Sequence, residues 1–327
     1  MTKTTNFLAE AVLRRNYQDL KFCPQDIQED LAESLRRSLA RLGQKRPDFS
    51  VHTAGNDQAL TEPYIEDALL PPAFQQLTEA AFAVSDEQSL YAAVNVEEHL
   101  LLKARGEAED LSECVARLRA LEQDLEDPDH PFARNKRFDY LSYRPVLAGS
   151  GLHASIILHL PMLSFLKQIR QLTDSVRKEH GCVLKPFGHV DRQGTANLFL
   201  LANAASQGQS DGQILDSVSA CADMLDRKES LLQQMVFRQK GHSGMLDQTW
   251  RAYGILMYAR HLTQNDFLAQ WSSLRMGAAA GIFPLTLKVA DSLYSFSRNS
   301  VFASFDESPK NFPFRRADAV RRVLSGG

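Results

Sequence analysis

Cysteine is scarce in this chain of 327 residues, and the four cysteines that occur are far apart in the sequence. No two of them have the C-x-x-C spacing, and no cluster of cysteine and histidine has the spacing of a zinc site. Neither a disulfide framework nor a bound metal is therefore predicted. Widely separated cysteines of this kind are typical of reduced thiols in a cytoplasmic protein.

Long apolar runs and a strong net charge are also absent. No apolar run approaches the roughly 20 residues that a membrane-spanning helix needs, and residues 1–7 lack the apolar core of a signal peptide. The formal net charge of −3 and the pI of about 6.3 provide no general positive field for nucleic acid. We therefore expect a cytoplasmic protein with no membrane partner and no nucleic-acid partner.

The sequence also lacks both common nucleotide-binding signatures, G-x-G-x-x-G and G-x-x-x-x-G-K-[ST]. Short strands gather in the middle third and helices dominate the last third, which predicts an α+β fold with an antiparallel or mixed sheet covered by helices. The predicted strands are 49–51, 81–84, 90–94, 100–104, 154–160, 183–187 and 197–204. The predicted helices are 24–42, 111–125, 161–180, 210–238, 246–262, 267–280, 284–296 and a tail helix within 305–327.

One segment, 141–161, begins as a loop of turn-forming residues and continues as a strand rich in branched apolar residues. The loop contains Arg144, Pro145, Gly149 and Gly151. A loop that meets the edge of a sheet is a common place for a functional site. By composition alone, a surface hairpin before a buried strand is the favoured interpretation.

The second half of that segment resembles a known signature. Gly149–Pro161 reads G-S-G-L-H-A-S-I-I-L-H-L-P and resembles the signature segment of the ATP:guanido phosphotransferases, more narrowly of their bacterial protein-arginine kinase branch. Three further stretches agree in the same order, and a weaker similarity occurs in Leu8–Asn16. The three stretches are Asn95–His99, Trp250–Leu256, and Leu274–Gly277 with the following Gly281–Ile282. The resemblance covers about residues 82–325.

This resemblance implies an antiparallel sheet flanked by helices. It divides the chain into a reduced helical N-terminal region (1–80), a catalytic-like domain (81–304) and a basic tail helix (305–327). It also implies transfer of the γ-phosphoryl group of ATP, with Mg²⁺, to the guanidinium group of a protein arginine. Such chemistry requires arginines that hold the triphosphate and a carboxylate that orients the guanidinium. In this family a cysteine of the signature loop assists.

Only part of this set is present when the residues are matched one by one. Glu97 matches the catalytic carboxylate, and Arg15 matches one phosphate-binding arginine. Lys185 replaces another arginine and keeps its charge without the bidentate guanidinium. At the remaining positions the family residue is replaced. Arg144 replaces the cysteine, and Leu147 replaces an asparagine. Four phosphate-binding arginines are replaced by His153, Leu101, Glu10 and Val12.

The expected loss of reaction rate decides whether the chain is an active kinase or an inactive relative. Removing one charged contact to a transition state typically costs about 10²–10³ in rate. Several losses, although not additive, are expected to take turnover far below a useful rate. We therefore predict a pseudokinase that acts as a protein-binding partner or regulator. The alternative is an active ATP-dependent protein-arginine kinase with a rebuilt site that uses Glu97 and Lys185 and requires ATP and Mg²⁺.

The C-terminal tail supports a third hypothesis. Phe312–Ala317 matches a motif of the family, Arg-Asp-x-x-Arg-Ala, that helps to bind phosphoarginine; Arg316 and the alanine agree with it, whereas the first two residues differ. The chain would then be a phosphoarginine-binding adaptor. The resemblance also implies protein partners, namely a small zinc-binding activator and a second copy of the chain. In the signature loop, Arg144 is expected to be exposed, with an ion pair to Glu97 as the alternative.

Overall fold

An eight-stranded sheet forms the centre of the computed structural model, which describes residues 4–22, 29–53, 58–77, 79–107, 110–127, 130–188, 194–238, 243–303 and 308–326. The strands are β1 (Asn6–Arg15), β2 (Phe49–Thr53), β3 (Ala81–Ser85), β4 (Leu90–Val94), β5 (Leu100–Gly106), β6 (Arg134–Asn135), β7 (Asp139–Tyr140), β8 (Leu152–His159), β9 (Cys182–Pro186) and β10 (Leu198–Asn203). The large sheet has the order β2-β3-β4-β5-β1-β8-β10-β9, and its neighbouring strands run antiparallel. The predicted α+β class with an antiparallel sheet is confirmed.

Strand β1 lies in the middle of this sheet, between β5 and β8, although the sequence analysis predicts no strand in residues 1–20. Its apolar side chains, such as Ala11 and Leu13, are buried in the core on one face of the sheet. Glu10 and Arg14 lie on the other face, but Arg15 places a charge on the core face as well, which interrupts the alternation of apolar and charged residues. Residues 1–80 thus supply two strands, β1 and β2, to the sheet in addition to their helices.

Most helices lie close to where the 3.6-residue periodicity predicts them, but the helices Gln58–Glu66 and Ser300–Ala303 were not predicted, and residues 24–28 of the first predicted helix lie outside the described ranges. They are α1 (Glu29–Lys45), α2 (Gln58–Glu66), α3 (Leu111–Leu125), α4 (Pro161–Phe165), α5 (Ile169–His180), α6 (Asp211–Arg238), α7 (Ser243–Tyr258), α8 (Gln264–Ala279), α9 (Leu287–Ser292), α10 (Ser300–Ala303) and α11 (Phe312–Leu324). The predicted helix 161–180 is in fact two helices, with Lys167 at φ +57° between them. No helix within the described ranges is both long and apolar enough to cross a membrane.

The two faces of the sheet are covered differently. On one face, α1, α3, α5 and α6 share a continuous apolar core with the strands, in which Leu13 and Leu118 are fully buried. On the other face, α7, α8 and α11 form a second cluster with β8 and β10, centred on Trp271, and Phe74 belongs to a third cluster with β1, β3, β4 and β5. Burial of each large side chain contributes about 1.5–3 kcal/mol. Polar side chains lie between the second and third clusters, in the middle of this other face of the sheet.

Candidate active site

The antiparallel register brings a row of side chains together across the centre of the second face. Glu10 pairs with Arg105, Val12 pairs with both Lys103 and His153, and paired positions place their side chains on the same face. We call this row the central strip. It consists of Glu10, Val12 and Arg14 of β1, Leu101, Lys103 and Arg105 of β5, and His153 of β8.

Glu10 is the best-paired residue of the central strip. Its carboxylate is buried, with Oε1 3.4 Å from Lys103 Nζ and Oε2 2.8 Å from Arg105 Nη2. Burial alone would raise the pKa of Glu10, but the attraction and hydrogen bonds of the two cations outweigh it and lower the pKa to about 2. Glu10 is therefore ionised at neutral pH.

The two cations of β5 also bind the loop that follows α2. Arg105 Nη1 lies 3.2 Å from Asp67 Oδ2, and Lys103 Nζ donates a hydrogen bond of 2.7 Å to the Ala68 carbonyl. Arg298, from the C-terminal half of the chain, lies 3.1 Å from the same Asp67 carboxylate. These contacts join β1, β5, the α2 loop and the C-terminal region in one network of internal ion pairs.

The other predicted phosphate-binding positions carry no charge at pH 7 or lie apart from this network. Burial, together with the neighbouring cations Arg14 and Lys185, lowers the pKa of His153 from 6.5 to about 4, so its ring is neutral at pH 7. Leu101 is buried with Val12 in an apolar cluster. Lys185 is exposed on β9 and forms no ion pair with any residue of the described ranges.

Glu97, which matches the catalytic carboxylate, lies at the end of the central strip. Its side chain is 42% exposed, and its Oε2 is 3.5 Å from Nε of Arg14, whose side chain is 17% exposed. Arg144 is exposed, as expected, and forms no ion pair with Glu97. The alternative expectation of an Arg144–Glu97 pair is therefore wrong, because Arg14 projects from the adjacent strand and takes that place.

The neighbour of Glu97 fixes the loop on which both residues lie. Glu98 is buried, and its Oε2 accepts a hydrogen bond of 2.5 Å from Asn16 Nδ2. Its Oε1 accepts hydrogen bonds from the hydroxyl of Ser142 and, at 3.2 Å, from the backbone N–H of Tyr143. The Glu98 carboxylate thus joins the Glu97 loop to the start of the signature segment.

We use the term signature loop for residues 144–151, whose shape depends on two glycines. Gly149 has φ +108°, and a Cβ there would lie 2.7 Å from the Ser206 carbonyl oxygen. Gly151 has φ +66°, and a Cβ there would overlap the guanidinium group of Arg15. Leu147 is half-buried in a short 3-10 turn, and its carbonyl accepts a 3.2 Å hydrogen bond from Ser206 Oγ. At residues 149 and 151, only glycine adopts the observed backbone conformation without strain.

Arg15 lies on the opposite face of the sheet from the central strip. Its Nε is 2.5 Å from Glu122 Oε1, its Nη2 donates to the Ser150 carbonyl at 3.0 Å, and its guanidinium stacks 3.5 Å from the Tyr140 ring centroid. The side chain is fully buried by these contacts. Arg15 therefore holds the signature loop from the helix-covered side, and the structure does not bring it to the central strip.

Arg316 lies far along the chain, in α11, and is also committed to internal contacts. It is buried, and it donates hydrogen bonds to the carbonyls of Phe296 (2.7 Å) and Leu262 (3.0 Å) and to Asn299 Oδ1 (2.6 Å). Burial lowers its pKa to about 10. It lines a cavity of about 530 Å³ beside Pro313. The structure thus places Arg316 in the C-terminal helical part and not with the strip residues.

Sequence reasoning missed Arg14, Lys103, Arg105 and Asp67 as parts of this site. The signal for the β5 residues is partly readable: Leu101 and Lys103 share a face of the predicted strand 100–104, and Arg105 continues that alternation one residue beyond its predicted end. The partners Asp67 and Arg14 carry no such signal, because one is in a loop and the other in a strand that the sequence analysis did not predict.

Family comparisons identify the fold that carries these residues. A family model described as the ATP:guanido phosphotransferase C-terminal catalytic domain matches residues 30–232. The chain belongs to the ATP:guanido phosphotransferase family. A second model, the protein-arginine kinase McsB C-terminal domain, matches residues 242–325. The resemblance found in the signature segment is thereby confirmed for most of this family member's length.

Curated relatives of this guanido phosphotransferase are protein-arginine kinases. The chain is 29% identical over 226 residues to the protein-arginine kinase of Desulforamulus reducens, a match that covers 69% of this chain and 61% of that protein. It is 26% identical over 329 residues to the protein-arginine kinase of Syntrophomonas wolfei, covering 96% of this chain and 90% of that protein. The first match thus spans less than two thirds of the relative.

Solved structures with the same fold come from other guanido kinases. One is the duplicated taurocyamine kinase from Schistosoma mansoni with bound transition-state-analogue components, with a TM-score of 0.62 and 15% identity over 81% of this chain and 38% of that chain. Another is lombricine kinase, with a TM-score of 0.60 and 15% identity over 71% of this chain and 68% of that chain. At such identities the likeness establishes the fold.

Proposed function

We propose that this guanido phosphotransferase is a pseudokinase of the protein-arginine kinase type, which acts in the cytoplasm by binding other proteins. One observation carries the proposal. Glu10, at a position where the family resemblance implies a phosphate-binding arginine, is an ionised carboxylate that already occupies both Lys103 and Arg105. The central strip therefore has its own internal anion where a phosphoryl-transfer site needs free cations.

The remaining residues of the strip do not fit a Mg-ATP triphosphate. Val12 and Leu101 offer no hydrogen-bond donors, and His153 is neutral at pH 7 because its pKa is about 4. A phosphate brought beside Glu10 would be repelled, since two unit charges 4 Å apart interact by about 4 kcal/mol at an effective dielectric of about 20. Such a site would hold the triphosphate poorly and would not neutralise the charge that develops during transfer.

Proposed partners are proteins of the kind that the family implies. They are a small zinc-binding activator-type protein and a second copy of this chain, with no membrane or nucleic-acid partner. The retained sheet and signature-loop shape support binding of this kind, because an interaction surface depends on shape and not on turnover.

Two measurements test the proposal. Mg-ATP is titrated into the protein by calorimetry, and phosphoarginine on a protein substrate is quantified by mass spectrometry, with the Syntrophomonas wolfei relative as the reference enzyme. We expect no binding heat and no phosphoarginine above the enzyme-free background. Phosphoarginine formation that Glu97→Gln abolishes would overturn the proposal in favour of an active kinase with a rebuilt site that uses Glu97, Lys185, ATP and Mg²⁺.

A phosphoarginine-binding adaptor is the second candidate, favoured by the cavity that Arg316 lines in α11. Arg316 already donates to three protein acceptors, and its remaining N–H groups are the ones that would reach a phosphoryl oxygen. Titration of a phosphoarginine peptide against its unphosphorylated form tests this candidate. Arg316→Lys, with the exposed Arg315→Lys as the matched control, should then weaken binding selectively; equal affinity of the two peptides would rule the adaptor out.

A further inference from the structure

The ion pair at the end of the central strip differs from those around Glu10. Among the described residues, Arg14 Nε is buried without a hydrogen-bond partner, and its only carboxylate contact is the 3.5 Å approach to Glu97 Oε2. In contrast, Arg105 forms a 2.8 Å hydrogen bond to Glu10 and further contacts to Asp67. Arg14 is thus held beside Glu97 by charge, without the directed hydrogen bonds of a structural arginine.

We infer that Arg14 occupies the place of an acceptor guanidinium beside Glu97, so that the chain fills its own arginine-binding position. The inference rests on the proposed function, in which the site has no turnover, and on the family match of Glu97 to the carboxylate that orients a guanidinium. Its geometry comes from this chain alone. Among the described strip residues and Glu97, only the carboxylate of Glu97 is substantially exposed, and Arg14 brings a guanidinium beside it.

The order of residues along β1 supports this assignment. Successive residues of a strand rise by about 3.3 Å, so Arg14 lies about 7 Å beyond Val12 and about 13 Å beyond Glu10. Glu10 supplies an anion to the cations at one end of the strip, and Arg14 supplies a cation to the carboxylate at the other. The two internal pairs thus reproduce the charges of a phosphate donor and a guanidinium acceptor.

The inference predicts which side chain of another protein can bind beside Glu97. While Arg14 is in place, an arginine side chain from another protein has no free carboxylate to bind at this position. Replacing Arg14 by a neutral residue leaves Glu97 exposed at the end of the strip, and the ligand class that fits there is a peptide arginine. A lysine peptide fits less well, because an ammonium lacks the planar fork that pairs with a carboxylate through two hydrogen bonds.

The test is a titration of the full-length protein with a short arginine-containing peptide, followed by NMR. We expect Arg14→Gln to bind the peptide at least tenfold more tightly than wild type, and Arg14→Gln/Glu97→Gln to lose that gain. The matched lysine peptide should show no gain. Wild type that binds the arginine peptide as tightly as Arg14→Gln, or a gain that persists without Glu97, would overturn the inference.

A second measurement keeps the inference testable if Arg14→Gln unfolds. The Nε–H resonance of Arg14 is followed in otherwise wild-type protein carrying Glu97→Gln, whose side chain is exposed and tolerant of change. We expect this resonance to shift, and an unchanged resonance counts against the pairing. Failure of the proposed function is read separately, because phosphoarginine formation by wild type contradicts the pseudokinase whatever the peptide titration yields.

Discussion

The signature loop and the central strip meet at Arg14 and Arg15, two adjacent arginines whose side chains lie on opposite faces of the sheet. The loop keeps its shape through local backbone geometry, with Gly151 at φ +66° against the Arg15 guanidinium. The strip keeps its charges through ion pairs between distant strands, as between Glu10 and Arg105. Shape and charge are therefore specified independently, the one by backbone conformation and the other by the pairing of strands.

Breaking the ion pairs of the central strip should give the largest loss in the free energy of unfolding. Glu10→Gln leaves Lys103 buried without a carboxylate and Arg105 with Asp67 alone, and removing one partner of a buried pair costs about 3–5 kcal/mol. Urea unfolding at pH 7 measures the free energy of unfolding. The matched control is Glu87→Gln in an exposed turn, which should change it by less than about 0.5 kcal/mol. Similar values for the two variants would show that the Glu10 pairs contribute little to stability.

Breaking the loop should cost somewhat less. Gly151→Ala forces a side chain into the left-handed region, at about 1–2 kcal/mol, and against Arg15, at about 1–3 kcal/mol. Gly208→Ala is the control, because φ there is +73° and no atom lies within 4 Å of the added Cβ. The thermal midpoint of Gly151→Ala should fall further than that of Gly208→Ala. Equal falls would place the whole cost in the backbone.

The pH dependence of stability sharpens the comparison. The folded state lowers the pKa of His153 from 6.5 to about 4, so the unfolded chain takes up the proton first. This contribution to stability is complete above pH 6.5 and is lost as the pH falls towards 4. We expect His153→Gln to remove about 1–2 kcal/mol of that acid dependence. Unfolding curves between pH 7 and 5 measure it, above the pH of about 4.5 at which Glu10 takes up a proton in the unfolded chain.

The exposed control for that experiment is His261→Gln, which should leave the pH profile as in wild type. The difference in pH dependence between the two variants isolates His153. Wild type alone does not, because burial also lowers the pKa values of His99 and His159. An unchanged slope in His153→Gln would mean that the ring titrates normally and is not confined by the strip.

The smallest expected effect is at the end of the strip. Glu97→Gln breaks an ion pair with a half-exposed carboxylate, and pairs of this kind contribute less than about 1 kcal/mol. A double-mutant cycle with Arg14→Gln measures the coupling free energy directly. A value above about 2 kcal/mol would make Arg14 a structural residue of the same kind as Arg105 and would weaken its assignment as a displaceable occupant.

Several parts of the fold were predictable from local pattern. The helix Leu111–Leu125 matches its predicted bounds, and the strands of the large sheet after residue 80 lie within a few residues of theirs, because apolar periodicity is a local property. The short strands β6 and β7 were not predicted. The predicted helix start at residue 210 agrees with the cap of α6: Ser210 Oγ accepts from Gln213 N at 3.3 Å, and Ser210 N–H donates to Gln213 Oε1 at 2.9 Å. Strand β1 was missed because its charged residues disguise the alternation.

The candidate site was predictable only in its composition. The matched positions Glu97, Leu101, His153 and Lys185 do gather around the same face of the sheet, but their partners were not foreseen. Arg15, matched as a phosphate ligand, lies on the other face because side chains alternate along β1, and Glu122 and Tyr140 contact it there. Which face of β1 is covered by helices is decided by the whole core, which a motif does not specify.

By itself, then, the sequence determined the fold family, the positions of most strands and helices, and the two glycines of the signature loop, since each of these depends on local pattern or backbone freedom. Only the tertiary structure decided that Glu10 faces Lys103 and Arg105 and that Arg14 faces Glu97. The physical reason is that these ion pairs join side chains more than 80 positions apart. The register of an antiparallel sheet, set by the whole core, determines which of them meet.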